Sequence, residues 1–333
     1  MSLTRRTLTT SLVAAAALPA AGRGEDAYRR SALIVALGGG VDAGAAFEAA
    51  AAQAADMLAG GLVCSKDGVL VVRPDIELSG STDVAAHPEY ADRRTTKFVR
   101  EVKRDGWFVD DFTLNELKSL AAVDAGARPV RPAKGQERPA ILTLEEFIGI
   151  ARRQSVKAAR VVGIWLRLTA PGYFERADLA LEPKVARTLR LQGYDARAAA
   201  AFVVTPDPAS LARLKELTGV RLVLDPGAPP DGAALAALAA KASAITADAL
   251  QLIAPTVRAM ADTGLTTRLH QSGLGVHAIA GAGSAPWPPP PLRPSDSRRL
   301  FEALARLGVE AIVTRDVATA VRGREAASRP AGR

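Results

Sequence analysis

Few side chains in this chain can move a proton or hold an ion. There are three histidines, His87, His270 and His277, and one cysteine, Cys64. A lone cysteine forms no internal disulfide, and no thiolate zinc site can be built on it. His87 and His270 fall in polar stretches and read as surface groups. His277 falls within an apolar run and would act as an acid or base only if that run ends at an open mouth. Asp42 and Asp75 are the carboxylates that could join it, provided the three converge within hydrogen-bond reach. Without that convergence, Asp75 reads as a turn residue bound through its carboxylate. Three arginines, Arg73, Arg167 and Arg315, stand at or near the ends of apolar runs. Gathered at one end of a sheet, such guanidinium groups bind phosphate bidentately. Spread along a rim, they pair instead with Asp75, Asp225 or Asp316. The glycines Gly38, Gly39 and Gly40 precede a helical pattern, which fits a tight turn and also a backbone cradle for an anion.

The elements that must position these groups alternate. SALIVALGG (31–39) reads as a buried strand and Asp42–Ala55 as a helix. Met57–Cys64 and Val69–Val72 form a hairpin around the Lys66-Asp67-Gly68 turn. Residues 79–140 are polar and punctuated by Gly and Pro, and they read as an insertion packed on the main domain. Within it Thr113 caps a short helix, with Glu116 three residues on. The alternation then resumes with a helix over 141–154, capped by Thr143 with Glu146 three residues later. Strands follow at 160–168, 200–205, 220–225, 242–248, 274–280 and 310–316. Helices are expected at Glu175–Leu191, Pro208–Thr218, Asp231–Lys241, Leu250–Thr263 and Pro294–Leu307. About eight strand–helix units with buried strands predict a closed parallel (β/α)8 barrel, with an open doubly wound sheet as the alternative. In such a barrel chemistry sits at the C-terminal strand ends. Residues 31–322 form this domain, the Pro-rich stretch 281–294 is a loop, and residues 323–333 read as a disordered tail.

The chain has 333 residues, 48% hydrophobic and 23% charged, which excludes disordered, collagen-like and coiled-coil classes. Its net charge of +8 is dispersed, with no Lys/Arg run longer than two, and aromatic residues are 5%. Nucleic-acid binding is therefore not expected. Residues 1–22 carry Arg5-Arg6, an uncharged apolar stretch and small residues near Ala20–Gly22. That layout describes a secretory signal of the twin-arginine kind and predicts a periplasmic or secreted protein. No later segment is long enough to span a bilayer.

The segment ADMLAGGLVCSKDGVLVVRPDIELSGSTDV (55–84) resembles the glycerophosphodiester phosphodiesterase family. The frame is AD, a strand, SKDGVLVV, then Pro74-Asp75 where the family has histidine-aspartate, then Leu78 and Thr82-Asp83. DGWFVDDFTLNELKSL (105–120) is similar to the periplasmic branch, and ILTLEEF (141–147) and GIWLRLTAP (163–171) continue the match. The resemblance runs over about residues 32–321. It implies a TIM barrel with a small insertion after the second strand, and metal-assisted hydrolysis of a phosphodiester. In the family Ca2+ or Mg2+ is held by carboxylates, two histidines serve as acid and base, and an arginine and a lysine hold phosphate.

The residues at those positions differ. Leu37 stands at the first histidine and Gly38 at the arginine. Ala59 and Gly61 replace two metal-ligating carboxylates, and Pro74 replaces the second histidine. Arg167 stands at a ligating glutamate and Thr169 at the lysine, while Asp75 is retained. Leucine, glycine, alanine and proline side chains neither ligate a cation nor carry a proton. The expectation is an exported member without hydrolytic activity and without a cofactor. It would bind a phosphodiester or other anion through Arg167, Arg315 and Arg73. The alternatives are an active hydrolase with a site rebuilt from Asp75, Asp42 and His277, and a structural or partner-binding envelope protein.

Overall fold

Eight of the apolar runs are parallel strands of one sheet: β1 (Leu33–Leu37), β2 (Met57–Cys64), β3 (Gly163–Leu168), β4 (Ala201–Thr205), β5 (Arg221–Leu224), β6 (Ala244–Asp248), β7 (Gly275–Ala280) and β8 (Ala311–Thr314). β1 pairs with β8 on one side and with β2 on the other, so the sheet closes. Helices α1 (Ala43–Ala52), α2 (Leu144–Lys157), α3 (Leu181–Leu191), α4 (Pro208–Leu217), α5 (Gly232–Ala239), α6 (Leu265–Gln271), α7 (Ser297–Arg306) and α8 (Val317–Ala327) follow the strands in turn. The expected (β/α)8 barrel is the observed fold. This computed structural model describes residues 31–38, 43–121, 123, 141–230, 232–256, 259–281, 288 and 292–329. The expected leader over 1–22, Asp42, residues 124–140 and most of the Pro-rich loop lie outside them.

The strands bury both faces, which gives two apolar layers. Inside the barrel Val35, Met57, Ala59, Trp165, Phe202, Val223 and Val313 form one cluster. Between sheet and helices a larger cluster holds Phe47, Phe147, Phe174 and Phe301, all with almost no exposed surface. The Phe47 and Phe147 rings meet edge to face, with centroids 4.8 Å apart, and join α1 to α2. Burying one such side chain contributes roughly 1.5–3 kcal/mol.

The insertion follows β2. Leu70–Val72 pairs antiparallel with β2 and with Leu142–Thr143. Its described part also holds a hairpin, Thr95–Val99 against Val102–Gly106, a short helix, Leu114–Ser119, and three 3-10 turns. Phe108, Val109 and Phe112 are buried, and Trp107 Nε1 donates to the Tyr90 carbonyl at 2.6 Å. The hairpin is absent from the sequence reading. Both capping boxes, Thr113 with Glu116 and Thr143 with Glu146, are present as expected.

Three expectations are corrected. The helix over Glu175–Leu191 is two pieces, Pro171–Arg176 and α3, divided where Asp178 takes a left-handed φ of 58°. Leu250–Thr263 is a single turn, Ala249–Leu252, followed by the antiparallel pair Ile253–Pro255 and Met260–Asp262. Pro255 removes a helical donor at the point where the longer helix would run. The tail over 323–333 begins later, because α8 continues to Ala327. Among the described residues no helix is long and apolar enough to cross a membrane.

Candidate functional site

Arg167, on β3, points across the C-terminal mouth of the barrel. Its Nε and Nη2 donate to Asp225 Oδ2 at 2.9 and 2.6 Å. Thr246, on β6, donates its hydroxyl to Asp225 Oδ1 at 2.5 Å. The pair therefore ties β3 to β6 through the residue that follows β5. Both nitrogens it uses lie on one edge of the guanidinium, which leaves Nη1 for another acceptor. Arg167 and Asp225 line a cavity of about 450 Å³, together with Arg100, Tyr173, Arg176 and Asp207.

Arg100 reaches this cavity from the tip of the insertion hairpin. Arg100 and Glu101 hold left-handed φ angles of 50° and 64° there. Burial and then the nearby Arg167 charge hold the Arg100 guanidinium below its ordinary pKa. Within the insertion Lys97 Nζ meets Asp110 and Asp111 at 2.8 Å each, and Asp110 in turn ties the insertion to the barrel mouth. The Tyr173 hydroxyl donates to the two Asp110 oxygens at 2.9 and 2.8 Å. Burial and the Asp110 charge push the Tyr173 pKa up, so the phenol stays protonated. Arg100, Tyr173 and Arg176 were not legible as site residues. The hairpin tip lacks the Asn-Gly or Asp-Gly pair that marks such turns in sequence.

The remaining sequence candidates separate. Arg315, just after β8, is exposed and makes no ion pair among the described residues. Arg73 is buried, and its position at a strand end does not bring it into the mouth. Its Nε donates to the Asp75 carbonyl, and its Nη2 to the Glu77 carbonyl and to Ser81 Oγ at 2.7 Å. Burial lowers its pKa to about 10, so it remains charged at neutral pH. Arg73 holds the 75–81 turn. Asp75 is exposed, and its carboxylate makes no hydrogen bond among the described residues, contrary to the bound turn residue expected.

His277 is also corrected. It lies in the first half of β7, with no exposed surface, inside the barrel. It neither faces the mouth nor joins Asp75, so the rebuilt acid–base set is not assembled; its third member, Asp42, lies outside the described residues. His87 bonds Glu89 and His270 bonds Glu310 at the surface.

The positions singled out by resemblance are filled. Leu37 packs on the interior cluster, of which Ala59 is part. A β-carbon on Gly61 would lie 2.6 Å from the Arg73 carbonyl oxygen and 2.9 Å from the Pro74 α-carbon. A β-carbon on Gly38 would lie 1.7 Å from the Phe47 ring. Thr169 donates its hydroxyl to the Pro74 carbonyl at 3.4 Å. The carboxylates left do not fit a hard divalent cation, which takes six or more oxygens including several charged ones. Asp75 stands alone, and Asp225 is engaged by Arg167 and Thr246. Among the described residues no group of three or more His, Cys, Asp or Glu is placed to hold a metal.

The profile of the Glycerophosphoryl diester phosphodiesterase family matches residues 44–318. A glycerophosphodiester phosphodiesterase of Arabidopsis thaliana is 37% identical over 154 residues, covering 45% of this chain and 40% of its own. One from Haemophilus influenzae is 29% identical over 174 residues, covering 49% and 45%. The chain thus spans under half the length of these curated relatives. A phosphodiesterase from Oleispira antarctica, solved with the product sn-glycerol-3-phosphate, superposes with a TM-score of 0.59 at 16% identity, over 90% of this chain and 98% of that one. A glycerophosphoryl diester phosphodiesterase structure from Silicibacter pomeroyi gives 0.60 at 15% identity, over 90% and 96%. These likenesses establish the shared fold.

Proposed function

This chain belongs to the glycerophosphoryl diester phosphodiesterase family, and from that premise we propose that it is an exported member without hydrolytic activity, whose basic barrel mouth binds a phosphodiester or related small anion. The observation that carries this reading is the set of side chains at the mouth. Leu37, Gly38, Ala59, Gly61 and Pro74 offer no proton carrier and no cation ligand. The space that longer side chains at Gly38 and Gly61 would need is taken by the Phe47 ring and by the Arg73–Pro74 backbone. Without a general acid, the alkoxide leaving group of a phosphodiester has no proton source. Groups that act as a unit leave little rate when all are lost together.

Positive charge stands at the mouth, where Arg167 takes the position of a family metal ligand. Arg167 contributes its free edge, and Arg100 and Arg176 line the same cavity. A phosphodiester monoanion meets these guanidinium groups without a cation. Export rests on the charge layout of residues 1–22.

The test uses the purified protein with glycerophosphocholine, in excess calcium, in magnesium and in chelator. No release of glycerol-3-phosphate above the buffer control is expected in any of them. Metal-dependent release that survives repurification overturns the inactive reading. Binding is measured by thermal shift, because a ligand held only by the folded state raises the melting temperature. Arg167→Ala should weaken that binding about tenfold, the loss of a charge-assisted contact. Unchanged affinity removes the mouth as the anion site. Absence of any shift favours a structural or partner-binding protein instead.

A further inference from the structure

The insertion hairpin leaves two large apolar side chains uncovered at its turn end. Phe98 is 61% exposed and Val102 56%. They flank the two-residue turn Arg100-Glu101, from which Arg100 reaches the mouth cavity. The ladder places them on opposite faces: Phe98 lies across from Lys103, and Val102 across from Val99. The face that carries Thr96, Phe98, Lys103 and Asp105 is exposed along its whole length. Below the tip the hairpin is braced. Lys97 is held by Asp110 and Asp111, and Arg94 pairs with Asp105 at 2.5 Å while standing 5.6 Å from the centroid of the Trp107 ring. An anchored element therefore presents the apolar tip to solvent.

The charge around the tip is positive. Lys103 and Arg104 follow Val102, and their exposed side chains make no ion pair among the described residues. Of the hairpin's acids, Asp105 is taken up by Arg94, and Glu101 stands at the tip itself. An exposed aromatic ring beside such cations suits an anionic interface. The ring enters its apolar side, while the cations stay with the headgroups and lay their stems along it. The two faces decide the kind of interface. A folded protein partner seated on one face would leave the apolar side chain of the other in water. A hairpin tip also falls short of the area that stable protein interfaces bury. A lipid layer is fluid, closes around a tip and covers both faces at once.

We propose that the hairpin tip is a membrane-docking element: Phe98 and Val102 enter the boundary between headgroups and acyl chains of an anionic bilayer, and Lys103 and Arg104 pair with lipid phosphates. Docking of this kind sets the barrel mouth beside the headgroup layer, because Arg100 lines the mouth from the same turn. The binding is peripheral. It needs neither hydrolysis nor an anion in the mouth.

The probes are vesicles of phosphatidylcholine alone and of equal parts phosphatidylcholine and phosphatidylglycerol, with binding read by co-flotation of the full chain. Insertion is read at a single position by an environment-sensitive fluorophore on Glu101→Cys. The native thiol, Cys64, is buried and its pKa is pushed up to about 11, so it stays unlabelled. The chain should float with the anionic vesicles, far less with the neutral ones, and more weakly at high salt. On the anionic vesicles the Glu101→Cys label should brighten and shift to the blue, while a label on Val156→Cys, exposed on α2, should not. Phe98→Ser with Val102→Ser, and separately Lys103→Glu with Arg104→Glu, should each lower affinity about tenfold. Arg153→Glu with Lys157→Glu makes the same charge change on the exposed side of α2 and should leave binding nearly unaltered. The expected leader is common to all these variants, so differences among them report the hairpin. Absence of flotation with anionic vesicles overturns the proposal. So does unchanged affinity in both hairpin pairs, or an equal loss from the α2 pair, which would assign the attraction to net charge. An unshifted Glu101→Cys label on vesicle-bound protein overturns it as well, and leaves the tip for a protein partner.

Discussion

His277 should make folding stability depend on pH in one window. Burial brings its pKa down to about 4 from the ordinary 6.5. Between those values the unfolded chain takes up a proton that the folded chain does not. Stability is therefore full above pH 6.5 and falls as pH drops toward 4. The expected loss by pH 4.5 is about 2–3 kcal/mol, at roughly 1.4 kcal/mol per pH unit. His87 and His270 act with the opposite sign, since their carboxylate partners raise their pKa values. Urea unfolding of the protein and of His277→Phe, at pH 7 and pH 4.5, isolates the difference. Equal acid sensitivity of the two proteins would show that the ring is not the cause. Arg73 makes a second case. Arg73→Met should cost about 2–4 kcal/mol by leaving the 75–81 turn without its charged donor, and should leave anion affinity unchanged. A fall in affinity without a fall in stability would return Arg73 to the mouth. The sequence locates the substituted positions of the mouth well, because the spacing from Asp56 to Asp75 runs without a gap. It does not say where Arg73 or His277 point. A strand-end position fixes an α-carbon, while the turn that receives the guanidinium, and the depth of His277 within β7, follow from register.

Elements were legible where local chemistry determines them. Thr143 with Glu146 and Thr113 with Glu116 satisfy the first backbone donors of their helices reciprocally, and both boxes form. Elements were misread where apolar residues continue past a break. Pro255 ends one expected helix, and the left-handed Asp178 divides another. The insertion hairpin escaped because Arg100-Glu101 occupies a two-residue turn with positive φ at both positions, where Asn-Gly is the unstrained choice. That strain makes the tip informative. Replacing Arg100-Glu101 by Asn-Gly should stabilise the fold by about 1–2 kcal/mol, since each left-handed non-glycine residue costs on the order of 1 kcal/mol and Asn keeps part of that cost. The same exchange should weaken phosphodiester binding at the mouth by removing the Arg100 charge. Thermal melts and a binding titration on one variant read both effects. Higher stability with unchanged affinity would mean that the hairpin shapes the mouth without touching its ligand.

At the scale of the whole molecule, the C-terminal helix is tied to the starts of the first two barrel strands. Arg324, on α8, donates to the Ala32 carbonyl just before β1 and pairs with Asp56 just before β2. The Asp56 carboxylate also accepts from the Ile34 backbone at 2.8 Å. Gly323 lets α8 approach α7 closely: a β-carbon there would lie 2.6 Å from the Phe301 β-carbon. These contacts join the last helix to the first two strands, where the sheet closes on itself. A polar, arginine-rich end reads as a tail because neither the Asp56 partner, 268 residues away, nor the close helix contact leaves a local signature. A chain ending after Arg322 loses the Arg324–Asp56 pair and the close contact, while one ending after Arg329 keeps both. The shorter chain should melt about 5 °C lower, since each kcal/mol shifts a domain of this size by a few degrees. The longer chain should melt with the full-length protein. If both melted alike, closure of the barrel would rest on the β1–β8 and β1–β2 pairing alone, and residues 323–333 would be a tail in the energetic sense even where they are helical.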